Sequence, residues 1–232
     1  METNAEQVKK WYEEYYTKKG EDRNDLLRNP GVLFQLMALQ KALIGALRIL
    51  PIDKNWKVLD VGCGSGASLL PFLGFGFKPA QLYGIDIIPG RIQQAEERLP
   101  NSHFVCADAS AMDYPSAEFD IVTESALFTS LVDDCAAQAV ADEILRVVKP
   151  KGYIILIDWR YSFGQAKYRS LSKRRINKLF KARIETTILC SKNAALIQPI
   201  GRFASRYLGP FYFLIQCLLP FLVGQRVTVL QK

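Results

Sequence analysis

The chain holds a single histidine, His103, among 232 residues, and its five cysteines (Cys63, Cys106, Cys135, Cys190 and Cys217) are scattered with no CxxC pair. That poverty argues against a disulfide framework and a structural zinc site, and a reducing, cytoplasmic setting is expected. The carboxylates show no ligand spacing either, so no metal is expected. There is no internal repeat and no low-complexity tract. The stretch METNAEQVKKWYEEYY lacks the apolar core of a signal peptide. The apolar stretch 207–223 is interrupted by Pro210, Gln216 and Pro220. A spanning helix needs ~20 mostly apolar residues, so a buried helix or a membrane-facing lid is the expectation there.

What is present is an ordinary globular composition, 49% hydrophobic and 23% charged, long enough for one buried core with added segments. The net charge of +7 is unevenly placed. Residues 1–159 carry 16 lysines and arginines against 22 acids, whereas 160–232 carry 14 against one, Glu185. A basic end of this size suits an anionic substrate, an anionic membrane surface or nucleic acid, or is simply a solvated face.

Helix periodicity appears first. Residues 5–19 read as a short helix bearing Trp11, Tyr12, Tyr15 and Tyr16, followed by a polar loop over 20–30. A second helix runs from Gly31 to before Pro51, with Leu33, Leu36, Leu39, Leu43 and Leu47 on its buried face. From residue 57 short aliphatic runs alternate with helical ones. Strands are expected at 57–61, 81–86, 103–107, 118–123 and 152–158, with helices near 65–75, 89–98 and 133–149. Two more strands are expected at 184–190 and 225–231. Such alternation implies a parallel sheet covered on both faces.

The strongest signal is Val58-Leu59-Asp60-Val61-Gly62-Cys63-Gly64-Ser65-Gly66, a strand running into a glycine-rich turn that opens a helix. Glycine is needed where the backbone turns tightly and a ligand approaches without meeting a Cβ atom. A second acid, Asp86 in Tyr83-Gly84-Ile85-Asp86-Ile87, follows the next strand. Its position suits a carboxylate that accepts from both hydroxyls of a ribose.

Together these motifs resemble class I S-adenosylmethionine-dependent methyltransferases over about residues 53–160. The resemblance implies an α/β, Rossmann-like seven-stranded sheet, mostly parallel with an antiparallel last strand and helices on both faces. It implies a helical cap over 1–52 and a cofactor-binding domain over 53–232 with a hydrophobic, basic insertion at 193–223. It also implies S-adenosylmethionine as cofactor and S-adenosylhomocysteine as product. Gly62, Cys63, Gly64 and Gly66 would pass the methionine part, with Asp60 near its amino group. Asp86 would meet the ribose, and Ile87 beside it is a further cofactor candidate. Asp108 and Ala109, in Phe104-Val105-Cys106-Ala107-Asp108-Ala109, match the adenine-binding pair. Glu124 and Arg23 are further cofactor candidates, Arg23 toward the carboxylate. Phe119-Asp120-Ile121-Val122 and Leu145-Arg146-Val147-Val148-Lys149-Pro150-Lys151-Gly152 match the fourth strand and the turn before the fifth.

A finer resemblance joins Tyr15-Tyr16, Gly20 to Asp25, Glu124-Ser125-Ala126-Leu127-Phe128-Thr129-Ser130 and Ile157-Asp158-Trp159-Arg160-Tyr161. These are similar to small methyltransferases of surface-polysaccharide biosynthesis, where Asp-Phe-Arg stands in place of Asp158-Trp159-Arg160. The likeness implies a sugar hydroxyl on a glycan or glycolipid as acceptor, with Ser125, Phe128 and Arg160 touching it. Asp158 is the first candidate for a base and Glu124 the second, since both follow strands whose carboxyl ends form the site. Asp158 equally suits a cap or a salt bridge to Arg160. His103 begins a strand, at the wrong end, and is read as structural. Arg160, Lys167, Arg169, Lys173, Arg174 and Arg175 are candidates to grip an acidic group.

Two other readings stay open: a methyltransferase for a small lipid or quinone, whose acceptor pocket the apolar insertion would form, and a non-catalytic cofactor-binding protein. A peripheral contact with the inner face of a membrane is compatible with the basic end. Nucleic acid is disfavoured, because Thr123-Glu124-Ser125-Ala126 replaces the Asn/Asp-Pro-Pro-aromatic run of base-methylating enzymes.

Overall fold

The computed structural model describes residues 25–162, 168–181 and 186–232. The helix expected over 5–19, Tyr15-Tyr16, Arg23 and Lys167 lie outside these residues. In chain order the helices and strands are α1 (Leu33–Leu47), β1 (Val58–Val61), α2 (Leu70–Gly74), β2 (Leu82–Asp86), α3 (Pro89–Arg98), β3 (His103–Cys106) and β4 (Phe119–Ser125). Then follow α4 (Leu127–Ser130), α5 (Asp134–Val147), β5 (Val148–Trp159), α6 (Lys173–Ile176), β6 (Thr187–Asn193), α7 (Gln198–Tyr207), α8 (Phe211–Leu218) and β7 (Gln225–Gln231).

The seven strands form one sheet in the order β3-β2-β1-β4-β5-β7-β6. The pairs β1–β2, β1–β4, β2–β3 and β4–β5 are parallel. The last strand runs back: Lys151 N–H donates to Lys232 O at 2.9 Å and Lys232 N–H to Gly152 O at 3.1 Å, which sets the end of β7 beside the start of β5. The order of connection reverses between β1 and β4, and open α/β sheets hold their ligands at such a switch point.

The chain divides into two compact units, Ala46–Ser191 with Thr228–Lys232, and Met1–Gly45 with Lys192–Val227. The larger unit has a core of Leu59, Val61, Ile85, Phe119, Val122, Ile144 and their neighbours, in which β1 is buried on both faces. The smaller unit has its own core of Ala38, Leu196, Ala204, Tyr212 and Val223, so α1 and the 193–223 segment share one apolar centre.

Four sequence expectations shift. The strand expected at 184–190 falls at Thr187–Asn193. The helix placed at 65–75 shortens to Leu70–Gly74, because Gly66 (φ 74°) is left-handed and Pro71 suits only a helix's first turn. The fifth strand starts at Val148 rather than 152, across a register irregularity between Phe119 and Ile121. In α1 the most buried residues are Ala38, Ala42, Leu43, Ala46 and Leu47, while Leu33 is exposed. Ala38, Ala42 and Ala46 let neighbours approach α1 closely beside Leu43 and Leu47, so only the C-terminal part of the leucine stripe is fully buried. By length and composition Pro30–Leu47 is apolar enough to cross a membrane.

Gly84 is a strand glycine with an ordinary backbone, and its role is space. A Cβ there would meet Cys63 Sγ and the Phe104 ring at 2.7 Å. Gly84→Ala is therefore expected to destabilise the protein by about 1–3 kcal/mol through overpacking. Denaturant unfolding measures this, and an unchanged midpoint would show that Cys63 and Phe104 can yield.

Candidate functional site

Each of β1, β4 and β5 delivers one buried carboxylate toward its carboxyl end: Asp60, Glu124 and Asp158. Around them lie the glycine turn and the loop between β4 and α5.

The turn is built by left-handed glycines, with φ of 72° at Gly62, 52° at Gly64 and 74° at Gly66. Any other residue would be strained there. Gly62 and Cys63 N–H both donate to Ile85 O, at 2.8 and 3.0 Å, tying the turn to the end of β2. Gly64 N–H donates to Asp86 Oδ2 at 2.8 Å, and Ile88 N–H donates to the other Asp86 oxygen at 3.0 Å. A Cβ at Gly62 would come within 3.1 Å of the Leu127 side chain. Cys63 is buried, and burial pushes its thiol far up, which removes it as a thiolate nucleophile.

Asp60 is fully buried. One of its oxygens accepts from the Ser68 hydroxyl, and the other, Oδ1, is buried without a hydrogen-bond partner among the described residues. Burial raises its pKa to about 7, against the Ser68 bond and with the help of Asp86. A buried carboxylate oxygen lacking a donor among the described residues is costly, and it marks a place where a further donor is wanted.

On the β4 side, Glu124 Oε2 accepts from Leu127 N–H at 2.9 Å and Oε1 from Ile157 N–H at 3.1 Å. Between them Ala126 sits in the left-handed region at φ 60°, with its N–H on Ile157 O at 2.9 Å. That conformation costs an alanine about 1–2 kcal/mol, and strain of this kind clusters at functional sites. Asp158 accepts from Thr129 N–H at 2.9 Å, Trp159 N–H at 2.6 Å and the Thr129 hydroxyl. Burial lifts the pKa of both acids, Glu124 strongly and Asp158 to about 6, with Asp158 adding to the rise at Glu124.

The loop is locked from behind by Arg175. Its guanidinium donates to Phe128 O at 2.8 Å, Arg169 O at 2.8 Å and Leu131 O at 2.6 Å. Burial lowers its pKa. Arg169 and Lys178 share Asp134 at 2.6 and 3.1 Å. Of the six basic residues expected to grip an acceptor, Arg175 is thus occupied inside the protein and exposed Arg169 is paired with Asp134, while Lys173 and Arg174 remain exposed. Phe128, expected to touch the acceptor, is instead fully buried and packs edge-on to Phe180 at 5.5 Å. Its place is set by an apolar core that any large aromatic would enter. Ser125 ends β4 half-exposed, and half-exposed Arg160 lies over the Tyr161 ring at 4.9 Å.

Asp108 is exposed after the edge strand β3 and caps its own turn by accepting from Ser110 N–H at 2.8 Å. The loop that follows is anchored by α5. Met112 N–H donates to Glu143 at 2.7 Å, and Arg146 donates to Tyr114 O at 2.6 Å and Met112 O at 2.8 Å. His103 stacks on Tyr83 at 4.5 Å, at the far end of its strand. The roles of Ser68, Thr129, Glu143 and Arg175 were missed in the sequence: Ser68 reaches Asp60 across the glycine turn, and the other three act on partners about 30 or more residues away. Among the described residues no cluster of metal-ligating side chains occurs.

Residues 58–152 match the family described as a methyltransferase domain. The chain is 35% identical over 119 residues to a 2-methyl-6-phytyl-1,4-hydroquinone methyltransferase of Synechocystis sp., covering 50% of this chain and 35% of that one. It is 28% identical over 173 residues to a phthiotriol/phenolphthiotriol dimycocerosates methyltransferase of Mycobacterium ulcerans, covering 66% and 62%. The matches thus span less than two thirds of these relatives' length. A solved structure with similar fold is a 1,6-didemethyltoxoflavin-N1-methyltransferase of Burkholderia thailandensis with bound S-adenosylhomocysteine. It has a TM-score of 0.65 and 16% identity, and the overlay covers 100% of this chain and 92% of that one.

Proposed function

We propose, from the premise that this chain carries a class I methyltransferase domain over residues 58–152, that it transfers a methyl group from S-adenosylmethionine to an acceptor hydroxyl. The observation that carries this reading is Asp60 Oδ1, a buried carboxylate oxygen without a donor among the described residues, beside a turn of left-handed glycines. The cofactor's amino group satisfies it. The backbone of Gly62, Cys63, Gly64 and Gly66 passes the methionine part. Asp86 has lone pairs left for the ribose hydroxyls, Ile87 packs on the adenine, and Asp108 with the Ala109 N–H reads its edge. Arg23 stays a candidate for the cofactor's carboxylate. When bound, the cofactor supplies a methyl group on a sulfonium, a good leaving group, and alignment with water excluded provides much of the acceleration.

Affinity for S-adenosylmethionine is expected to rise severalfold from about pH 6 to about pH 8, as Asp60 ionises through about 7. Calorimetric titration across that range measures this, and a flat profile would remove Asp60 from the amino group.

We assign Asp158 and Glu124 to positioning the β4–α5 loop, since both oxygens of each are already held by the protein's own donors. Asp158→Asn is expected to lower turnover by about ten- to a hundredfold with cofactor affinity near normal, through misplacement of the loop. The pH–rate profile is expected to keep its shape. Loss of its acidic limb in the variant would instead make Asp158 the base.

For the acceptor, the leading reading is a small lipid or quinone, supported by relatives named for a phytyl hydroquinone and for dimycocerosates. The second reading is a sugar hydroxyl of a surface glycan, favoured by exposed Lys173 and Arg174 and by half-exposed Arg160. Labelled S-adenosylmethionine offered with quinone, lipid, acidic glycan, neutral glycan and RNA fractions separates them. Label in the organic phase supports the first reading and label in glycan the second. Label in RNA alone overturns both, and cofactor binding without label in any fraction identifies a non-catalytic binder.

A further inference from the structure

Within the smaller unit, α7 and α8 turn their large apolar side chains outward. In α7 the exposed residues are Ile200, Phe203 (58%) and Tyr207 (63%), while Gly201, Ala204 and Ser205 face in. In α8 they are Phe211 (63%), Leu214 and Leu218 (67%), while Tyr212 faces in. Both stripes have the spacing i, i+3, i+7, one face of a helix. The turn that follows adds Leu219 and Phe221, also exposed.

This outward face is held in place by bonds on the inward one. Ser205 Oγ donates to Pro30 O at 2.7 Å and accepts from Phe34 N–H at 3.1 Å. Tyr212 Oη accepts from Leu196 N–H at 2.9 Å, and Gln216 donates to Ala194 O. Phe34 stacks on Tyr212 at 6.2 Å. The helices therefore cannot roll their apolar stripes inward without losing buried hydrogen bonds.

Charge says what kind of surface covers this face. The described residues of the unit carry Arg28, Lys41, Lys192, Arg202, Arg206 and Arg226 against one acid, Asp25, which pairs with Arg28 at 3.8 Å. Residues 192–227 contain no acid at all. Arg206 is exposed within the apolar tract and lies over the Tyr207 ring at 5.4 Å. Helices with an aromatic and aliphatic face, flanking cations and no acids lie in the interface of an anionic bilayer. We propose that α7, α8 and the Leu219–Phe221 turn dock this protein on an anionic membrane, lying in its surface without spanning it. The proposal stands apart from the identity of the acceptor.

The test is co-sedimentation of the full chain with vesicles of phosphatidylcholine alone and of phosphatidylcholine mixed with phosphatidylglycerol, at low and high salt. Binding to the mixed vesicles, weakened by salt and by omitting phosphatidylglycerol, is expected. The triple variant Phe211→Ser, Leu214→Ser, Leu218→Ser is expected to lower the partition coefficient by at least about tenfold. Because these side chains are exposed, its melting temperature and its affinity for S-adenosylhomocysteine are expected to match the parent's. No binding to mixed vesicles, equal binding by the triple variant, or equal binding to neutral vesicles would each overturn the proposal. So would sedimentation velocity showing a dimer that the triple variant dissolves, since the face would then belong to a second copy.

Discussion

Asp60→Asn is expected to make the protein more stable at about pH 8 and, in the same variant, to weaken S-adenosylmethionine binding by about a hundredfold. Both effects come from one buried charge. Asp60 has its pKa raised to about 7 in the folded protein, from a usual 3.8, chiefly by burial. The folded chain therefore holds the proton over a range in which the unfolded chain has released it. Stability attributable to this group falls as pH rises from about 4 to about 7, and above that the cost is complete, up to about 4 kcal/mol. Asparagine keeps the shape and an oxygen for the Ser68 hydroxyl, but carries no charge, so the cost disappears. The gain is expected at about pH 8 and not at about pH 4, the sign that linkage requires. Binding moves the other way. A charge-assisted hydrogen bond to the ligand's ammonium becomes a contact with a neutral amide, a loss of about 2–3 kcal/mol. Thermal unfolding at the two pH values and calorimetric titration check both. A variant stabilised equally at both pH values would show that the effect is packing, and unchanged affinity would sink the cofactor assignment.

Arg175→Ala is expected to cost about 3–5 kcal/mol and to reduce methyl transfer well beyond any loss of cofactor binding. The guanidinium satisfies the carbonyls of Phe128, Leu131 and Arg169 from inside the protein. Removing it leaves those acceptors without a donor in a place where water does not replace it cheaply. Leu131 and Phe128 belong to the loop that also carries Ala126 and Thr129, so the loop loses the brace that opposes its strain. Arg175→Lys is the informative companion. An ammonium keeps the charge but not the planar fork, and is expected to restore little stability. If Arg175 instead gripped an acidic acceptor, lysine would restore most of the activity, and the melting temperature would hardly differ from the parent's. Denaturant unfolding beside single-turnover kinetics distinguishes the two.

The sheet was legible in the sequence because its signal is local. Aliphatic runs followed by Gly62, Gly64 and Gly66 report strand and turn within a few residues, and a parallel sheet covered on both faces follows from the alternation, while its seven strands with a reversed last one came from the family resemblance. The central site was partly legible for the same reason: the turn needs glycine wherever φ is positive, and Asp60 and Asp86 stand at strand ends. Phe128 and Arg175 were not legible. A phenylalanine after a strand looks alike whether it faces a ligand or Phe180, and an arginine in a basic run looks alike whether it meets solvent or three carbonyls.

Sequence alone determined the strand–turn–helix alternation, the glycine turn with its flanking acids, and the segregation of basic residues into the last third of the chain. These depend on backbone conformation and composition, which neighbouring residues specify. Only the tertiary structure decided which acids are consumed by internal donors and which oxygen of Asp60 is left wanting one. It alone decided that Ala38, Ala42 and Ala46 join Leu43 and Leu47 on the buried side of α1 while Leu33 stays exposed, and that α7 and α8 show their apolar faces to the outside. Each of these is a matter of what lies across the fold from a residue, and burial converts that neighbour into a pKa, a strained loop or an exposed surface.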